Sequence, residues 1–177
     1  MKTCKKTFIF IAVLVLLMAT LCTLAACNSQ ESGGRTEVPI PATKTALNVG
    51  SVEAKAGDKD VEVLVEVVNN PGILGMDFDV YYDDAVMELT EVTSELDLDG
   101  CVFSVPKYFK NPTSLLWDFQ DMNWTEDGTF LKLHFNILDT APAGEYKIKI
   151  MYSYGNIFDA NLEPIDVGVR NGYISVA

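Results

Sequence analysis

The sequence is poor in the residue types on which most catalytic and metal-binding sites depend. Its 177 residues contain one histidine and four cysteines. A single histidine, His134, cannot supply the clustered ligands of a zinc site, and no Ser/His/Asp or Cys/His constellation can be built around it. His134 alternates with Lys132 and Asn136, opposite the apolar residues of its segment, which predicts a lone histidine on the protein surface.

The part of the chain that follows the N-terminal apolar segment has too few cysteines for a disulfide. Cys4 and Cys22 fall within an N-terminal apolar segment, Cys27 ends it, and only Cys101 remains. One cysteine cannot form an internal disulfide, so the folded part must be stabilised by its core. We interpret Cys101 as a small buried hydrophobe rather than a reactive thiol.

Basic residues are also few, with 13 Lys and Arg against 25 Asp and Glu. All 25 acidic residues follow Cys27 but only ten basic residues do, which leaves the chain after Cys27 with a net charge of −15. This balance argues against nucleic acid as a ligand and against direct electrostatic binding to anionic membranes. It suits a partner with a basic or polar binding face.

The N-terminal segment has the composition of a secretory signal. Three lysines precede an apolar run from Phe8 to Ala26. Because the run is nearly long enough to cross a bilayer, a transmembrane helix is the alternative. The sequence "LAAC" at residues 24–27 resembles the lipobox of bacterial lipoproteins. That resemblance implies a lipoprotein signal peptide at residues 1–26, a lipid on Cys27, and a location outside the cytoplasm, anchored to the cell membrane at the cell surface.

Beyond Cys27 the sequence changes character twice. Residues 27–45 are rich in Ser, Gly, Thr and Pro without apolar periodicity, which predicts a lipid-anchored flexible linker. From Ala46 onward, short segments with a period of two are separated by Gly, Pro, Asn or Asp, and no helical period is sustained. Eight or nine such segments over about 130 residues predict an all-β antiparallel sandwich or jelly roll.

One of these segments, "PGILGMDFDVYYDD" at residues 71–84, has two contrasting faces. Alternate side chains of a strand point to opposite sides of the sheet. One side takes the apolar residues Met76, Phe78, Val80 and Tyr82, and the other takes Gly75, Asp77, Asp79 and Tyr81. The second face carries two carboxylates and no interleaved cation, so it is either a solvated face or a binding face.

Carboxylate pairs occur throughout the chain and do not by themselves identify an enzyme. The pairs are Asp77/Asp79, Asp83/Asp84, Asp97/Asp99 and Asp118/Asp121. Nothing in the sequence selects one of them as the acid and base of a glycosidase. The segment Asp97–Gly100 lacks the spaced ligands and terminal glutamate of an EF-hand. We therefore predict neither catalysis nor a metal site.

Residues 47–177 resemble the cohesin domains, the modules of cellulosomal scaffoldins that bind dockerin modules of polysaccharide-degrading enzymes. The later segments "DGTFLKLHFNI", "APAGEYKIKI" and "NGYISV" share the family pattern, and so do Val49, Gly57, Asp58, Val61, Val63, Val65, Pro71, Gly72, Ile73, Asp77, Phe78, Tyr82 and Asp83. The resemblance implies a nine-stranded antiparallel jelly roll over residues 46–177. It also implies that calcium resides on the dockerin partner and that this chain needs no cofactor.

The same resemblance implies a set of partner-binding residues on one flat face. Asp77 matches the principal hydrogen-bonding carboxylate of the family, whereas Gly75 stands where many cohesins carry Asn. The other residues that the resemblance and the alternation place on this face are Asp79, Tyr81, Tyr108, Leu116, Asp118, Gln120, Asp121 and Leu162.

Together these features predict a non-catalytic cell-surface module that binds dockerin-bearing enzymes or scaffoldins. The alternative is a lipid-anchored carbohydrate-binding module of similar fold, which would stack sugars on exposed aromatic side chains. Its candidate platform comprises Trp117, Trp124, Tyr108 and Tyr154. Trp117 shares a strand face with Leu115 and Phe119, which predicts a core position, whereas Trp124 falls in a turn region and is the candidate for exposure.

Overall fold

The structure, a computed structural model, describes residues 39–96, 100–119 and 124–177. The predicted signal peptide, Cys27 and the linker as far as residue 38 lie outside the described residues, as do Gln120 and Asp121. Within the described ranges, no helix has the length and apolar character needed to cross a membrane.

The regular structure of the described residues consists of strands. Twelve are present: Ala46–Val49 (β1), Val52–Ala54 (β2), Val61–Val68 (β3), Gly75–Tyr81 (β4), Met87–Ser94 (β5), Val102–Ser104 (β6), Thr113–Asp118 (β7), Gly128–Ile137 (β8), Gly144–Met151 (β9), Ile157–Phe158 (β10), Gly168–Arg170 (β11) and Gly172–Val176 (β12). The number exceeds the predicted nine, and four of the twelve strands, β2, β6, β10 and β11, have only two or three residues.

The strands form two sheets, and the predicted all-β sandwich is confirmed. The five-stranded sheet has the order β11-β1-β3-β8-β5, and the seven-stranded sheet has the order β2-β12-β9-β4-β7-β6 with β10 also paired to β4. Most pairs are antiparallel, as predicted, but β1 pairs with β11 and β2 pairs with β12 in parallel. The chain changes sheets between β1 and β2 and again between β11 and β12, so the first two strands pair with the last two, one pair in each sheet.

The two chain segments that cross between the sheets approach each other very closely at Gly50 and Gly172. A Cβ placed on Gly172 would lie 1.9 Å from the backbone oxygen of Gly50 and 2.8 Å from the Val49 side chain. Only glycine leaves room for the two backbones at this distance. This contact joins the start and the end of the domain.

The core lies between the sheets and is centred on stacked aromatic rings. Phe78 and Trp117 have ring centroids 5.4 Å apart at 20°, and Phe130 meets Trp117 edge-on at 5.5 Å. The predicted inward face of β4 is confirmed, since Met76, Phe78 and Val80 are at most 1% exposed. Trp117 is a core residue, as its strand pattern predicted.

Two predicted surface residues are buried instead. Trp124, predicted to be exposed, is 4% exposed because its ring stacks on Phe119 at 5.8 Å. His134, predicted to be a surface histidine, is 8% exposed although it lies on the outward side of β8. β8 lies between β3 and β5, and the ring is covered from both sides: Nδ1 lies 2.7 Å from Asp60 Oδ1, and Nε2 lies 3.2 Å from Thr93 Oγ1.

Residues 40–45 pack with the sandwich, although the linker prediction expected them to extend from it. The Lys44 ammonium lies 2.7 Å from an Asp166 carboxylate oxygen. The buried Thr45 hydroxyl donates to the Asn69 carbonyl at 2.8 Å. An Arg170 guanidinium nitrogen donates to the Ile40 carbonyl at 3.4 Å. These contacts extend the folded part toward the N-terminus.

The environment of Cys101 agrees with its interpretation as a packing residue rather than a reactive thiol. Cys101 is partly buried and packs against the core. Burial, and secondarily the charge of Asp118, raise the pKa of its thiol. A raised pKa lowers the thiolate fraction at neutral pH and so opposes reactivity.

Candidate protein-binding face

The outer surface of the seven-stranded sheet is organised around β4. β7 pairs with one side of β4, and β9 and β10 pair with its other side. The outward residues of β4 therefore stand in the middle of a continuous surface, with neighbours on both sides. This places Asp77, Asp79 and Tyr81 together, as the alternation predicted.

The Asp77 carboxylate is held in a defined orientation. The side-chain amide of Asn156 donates to Asp77 Oδ2 at 3.2 Å, and the Asp77 backbone N–H donates to the Asn156 carbonyl at 2.9 Å. On the other side, Asp77 faces Leu116 of β7, which is 42% exposed. A fixed acceptor thus stands beside an aliphatic side chain that faces solvent.

The next row along β4 repeats this combination. Asp79 lies between Ser114 of β7 and Met151 of β9. The Ser114 hydroxyl donates to Asp79 Oδ1, and Met151 is 43% exposed. Each of these two rows therefore combines a hydrogen-bonding carboxylate with an exposed apolar side chain.

A lysine, Lys149, stands at the Tyr81 end of β4. Lys149 of β9 pairs with Tyr81, and its ammonium lies 5.7 Å from the centroid of the Tyr81 ring. Toward the opposite end of β4, Gly75 pairs with the exposed Asp118 of β7. Between these ends, a hollow of about 430 Å³ is lined by Asp77, Asp79, Tyr81, Ser114, Met151 and Asn156 among others.

This arrangement suits the binding of another protein surface. Carboxylates accept hydrogen bonds from charged or neutral donors, and such bonds to ionised groups are stronger than those between neutral groups. Exposed aliphatic side chains gain free energy when a partner removes them from water. A partner that matches the face would carry Lys, Arg, Ser or Thr donors beside apolar side chains.

The structure brings together six of the predicted partner-binding residues: Gly75, Asp77, Asp79, Tyr81, Leu116 and Asp118. Leu162 is 70% exposed in the loop that follows β10. Tyr108, 72% exposed, lies between β6 and β7, and its described ring contact is with Lys107, whose ammonium is 5.4 Å from the ring centroid. Gln120 and Asp121 lie outside the described residues.

Sequence reasoning missed four residues of this face: Ser114, Met151, Asn156 and Phe158. Ser114 and Met151 do alternate with buried residues in their own strands, so their outward direction was readable. Their position beside Asp79 depends on strand pairing, which a single sequence does not reveal. β10 has only two residues, too few for a period to be recognised.

The aromatic side chains do not form the platform that the carbohydrate-binding alternative requires. Trp117 and Trp124 are the only tryptophans of the chain, and both are buried. Tyr108 and Tyr154 are exposed, at 72% and 79%, but they lie on different loops. In the described part of the chain, stacking on a sugar ring would therefore have to rely on tyrosine or phenylalanine rings, without a tryptophan.

A group of potential metal ligands lies on the other sheet. Within the described residues, Asp60, Glu62 and His134 place one ligand atom each within 4.8 Å of the others. Both ring nitrogens of His134 already have partners, Asp60 and Thr93. We assign no metal to this group.

Comparison with known proteins identifies the family. The profile of the Cohesin domain family matches residues 45–176. The chain belongs to the cohesin domain family. Cohesin domains are non-catalytic binding modules, and the predicted family is confirmed. No curated protein sequence matches the chain.

Solved cohesin structures share its fold. The sixth cohesin of scaffoldin B from Acetivibrio cellulolyticus, solved with a mutant Cel5 dockerin, is 24% identical with a TM-score of 0.67, over 76% of this chain and 100% of that one. The seventh type I cohesin of ScaB from Pseudobacteroides cellulosolvens is 25% identical with a TM-score of 0.63, over 76% and 92%. A cohesin–dockerin complex of OlpA from Clostridium thermocellum is 20% identical with a TM-score of 0.65, over 76% and 99%.

Proposed function

We propose that this cohesin is a cell-surface anchor that captures dockerin-bearing polysaccharide-degrading enzymes or scaffoldins. The observation that carries the proposal is the outer face around β4, where the fixed acceptor Asp77 stands beside exposed Leu116. The structural relatives solved as cohesin–dockerin complexes add support, because they share the fold that presents this face.

The charge of the chain agrees with such a partner. Ten basic residues against 25 acidic residues after Cys27 favour a partner with a basic or polar surface. The central rows of the face hold Asp77 and Asp79, with the cation Lys149 placed at the Tyr81 end. Donors on a dockerin would meet the carboxylate oxygens of Asp77 and Asp79 in these rows.

The anchor is the second part of the proposal. "LAAC" at residues 24–27 supports lipid attachment at Cys27, and the Ser-, Gly- and Pro-rich residues after it support a flexible tether. Acyl chains contribute about 0.8 kcal/mol per buried methylene, so two or three chains on one cysteine would hold the protein on a membrane. In this arrangement the module works outside the cytoplasm.

Calorimetric titration with dockerins encoded by the same organism tests the binding role. We expect at least one dockerin to bind in calcium and to lose binding in a chelator, with no change in the thermal unfolding of this chain. This outcome would place the calcium requirement on the partner. Absence of binding to every dockerin of the organism would contradict the proposal.

A sedimentation assay on insoluble glucans, without added enzyme, separates the carbohydrate-binding alternative. We expect the protein to stay in the supernatant, because both tryptophans are buried. Adding a bound dockerin enzyme that carries its own glycan-binding surface should bring both proteins into the pellet. Direct sedimentation of the protein alone would favour the alternative.

A further inference from the structure

The segment that precedes β1, residues 40–45, lies on the outer surface of the five-stranded sheet, and we call it the strap. Leu47 and Val49 of β1 point into the core, so Ala46 and Asn48 point outward, because alternate residues of a strand face opposite sides. Ala46 is nevertheless completely buried. Another part of the chain must therefore cover this outer position.

The Ile40 side chain lies at this position. Gly168 of β11 pairs with Ala46, and a Cβ placed on Gly168 would lie 2.8 Å from two carbon atoms of the Ile40 side chain. Glycine at residue 168 thus leaves the space that Ile40 occupies. Arg170, which pairs with Asn48, donates from one guanidinium nitrogen to Asn48 Oδ1 at 2.9 Å and from the other to the Ile40 carbonyl at 3.4 Å. Ile40 is therefore held against the β1–β11 pair from outside.

Asn69, directly after β3, binds the middle of the strap. Its side-chain amide donates to the carbonyls of Ala42, at 2.7 Å, and Lys44, at 3.1 Å. Asn69 itself has a φ of 52°, in the left-handed region, and the Asp127 carboxylate accepts hydrogen bonds from the backbone N–H groups of Asn69 and Asn70 at 2.9 and 2.8 Å. The amide that holds the strap is therefore itself fixed by a second loop.

The end of the strap next to β1 has contacts of its own. The Thr45 hydroxyl donates to the Asn69 carbonyl at 2.8 Å, and the Thr45 carbonyl accepts from the Gly168 N–H at 2.8 Å. The Lys44 ammonium lies 2.7 Å from an Asp166 carboxylate oxygen. The strap is thus bound both at the end of β3 and along β11, and the chain that precedes residue 40 starts from this outer surface.

We propose that the strap makes the tether leave the domain from the surface opposite the dockerin-binding face, and thereby turns that face away from the anchor. The inference rests on the proposed function, in both its anchoring and its binding role. The strap lies on the outer surface of the five-stranded sheet, whereas Asp77 lies on the outer surface of the seven-stranded sheet. Without the contacts of the strap, the tether would start at Ala46, at the end of β1, and would favour neither surface.

The length of the tether makes its point of departure important. Residues 28–38, eleven in number, lie between Cys27 and the start of the described chain. A flexible chain of this length has an r.m.s. span of about 18 Å, against about 23 Å for residues 28–45. A short tether attached to one surface holds that surface toward the anchor and leaves the opposite surface accessible to a partner.

Trypsin cleavage after Lys44 tests whether the strap is docked. Thr45 is buried and Lys44 is bound on both its side chain and its carbonyl, so cleavage there requires the strap to open. Asn69→Gly keeps the positive φ but removes both amide donors, and should speed this cleavage roughly tenfold or more. Gly168→Val should have a similar effect, because its side chain displaces Ile40.

Asn136→Ala is the matched control for this assay. Asn136 also bonds a backbone group, the Asp60 N–H, and lies on β8 of the same sheet, away from the strap. This variant should be cleaved after Lys44 at the rate of the wild type. Thermal unfolding of all three variants checks that the domain itself remains folded. Equal cleavage rates for the wild type, Asn69→Gly and Gly168→Val would overturn the docking of the strap.

Neutron reflectometry tests the orienting role. The chain from Cys27 onward, carrying Cys101→Ser, is coupled through the Cys27 thiol to maleimide lipids in a supported bilayer, and a deuterated dockerin that binds the wild type is then added. We expect the dockerin to form a layer beyond the cohesin, on the side away from the bilayer. With Asn69→Gly the dockerin layer should broaden and shift toward the bilayer, while the affinity measured in solution stays unchanged.

The outcomes separate this proposal from the proposed function. A dockerin layer with the same position and width for the wild type and Asn69→Gly would overturn the orienting role, while dockerin binding stands. A dockerin layer between the wild-type domain and the bilayer would overturn it as well. If the wild type binds no dockerin, the proposed function fails and the orienting role fails with it, whereas the trypsin assay still decides whether the strap is docked.

Discussion

The assignment of the two faces of β4 predicts very different costs for neighbouring substitutions. Phe78→Ala should destabilise the domain by about 3–5 kcal/mol, the range for truncating a buried phenylalanine. We expect the upper part of that range, because Phe78 is 1% exposed and stacks on Trp117. Asp79→Ala should change the stability by less than about 0.5 kcal/mol, because Asp79 and its partner Ser114 can both bind water instead.

Urea unfolding followed by tryptophan fluorescence measures both changes, since Trp117 and Trp124 are buried and become exposed on unfolding. Equal slopes against urea for the variants and the wild type would show that the free-energy difference reflects the native state. Similar losses for Phe78→Ala and Asp79→Ala would refute the assignment of an inner and an outer face.

Three further predictions concern other parts of the chain. Cys27→Ala should release the protein or leave an uncleaved precursor, and continued lipid labelling of this variant would contradict the anchor. His134→Gln should lower stability by roughly 1–3 kcal/mol through lost contacts with Asp60 and Thr93. It should not change dockerin affinity, because His134 lies on the other sheet; a weakened affinity with intact folding would place the interface elsewhere. Folding lowers the pKa of the Asp159 carboxyl from 3.8, mainly through the hydrogen bond from the Glu163 backbone N–H. The ionised carboxylate therefore stabilises the folded state above pH 3.8, and this stabilisation is lost as the pH falls through the lower pKa of the folded state. Urea unfolding at stepped pH should show a larger acid loss for the wild type than for Asp159→Asn, and parallel curves would contradict this.

The local features of the fold were predictable because they depend on near neighbours in sequence. The period of two in β4 determined which side Phe78 and Asp79 face, and the same pattern placed Trp117 in the core. Trp124 and His134 were predicted wrongly because their burial depends on distant residues. Phe119 covers Trp124, and Asp60 and Thr93 cover His134.

The candidate face was predictable only in part, for the same reason. Asp77, Asp79 and Leu116 follow from alternation and from the family resemblance. The contribution of β10 does not, because a strand of two residues leaves no pattern and its pairing with Gly75 depends on the close approach of two distant segments. The Phe158 ring occupies the space that a side chain at residue 75 would take, and the sequence alone could not place that ring beside Gly75.

Titration of the Asp77→Ala variant with the cognate dockerin tests the account most directly. Asp77 is fixed by Asn156 at the centre of the face, so its removal should leave the dockerin's donors buried without partners. Such a truncation costs about 2–5 kcal/mol, a weakening of roughly thirtyfold to several-thousandfold. Glu62→Ala, an exposed carboxylate on β3 of the other sheet, is the matched control and should bind like the wild type. Equal affinity of Asp77→Ala and the wild type would contradict the assignment of the dockerin-binding face to the surface around β4.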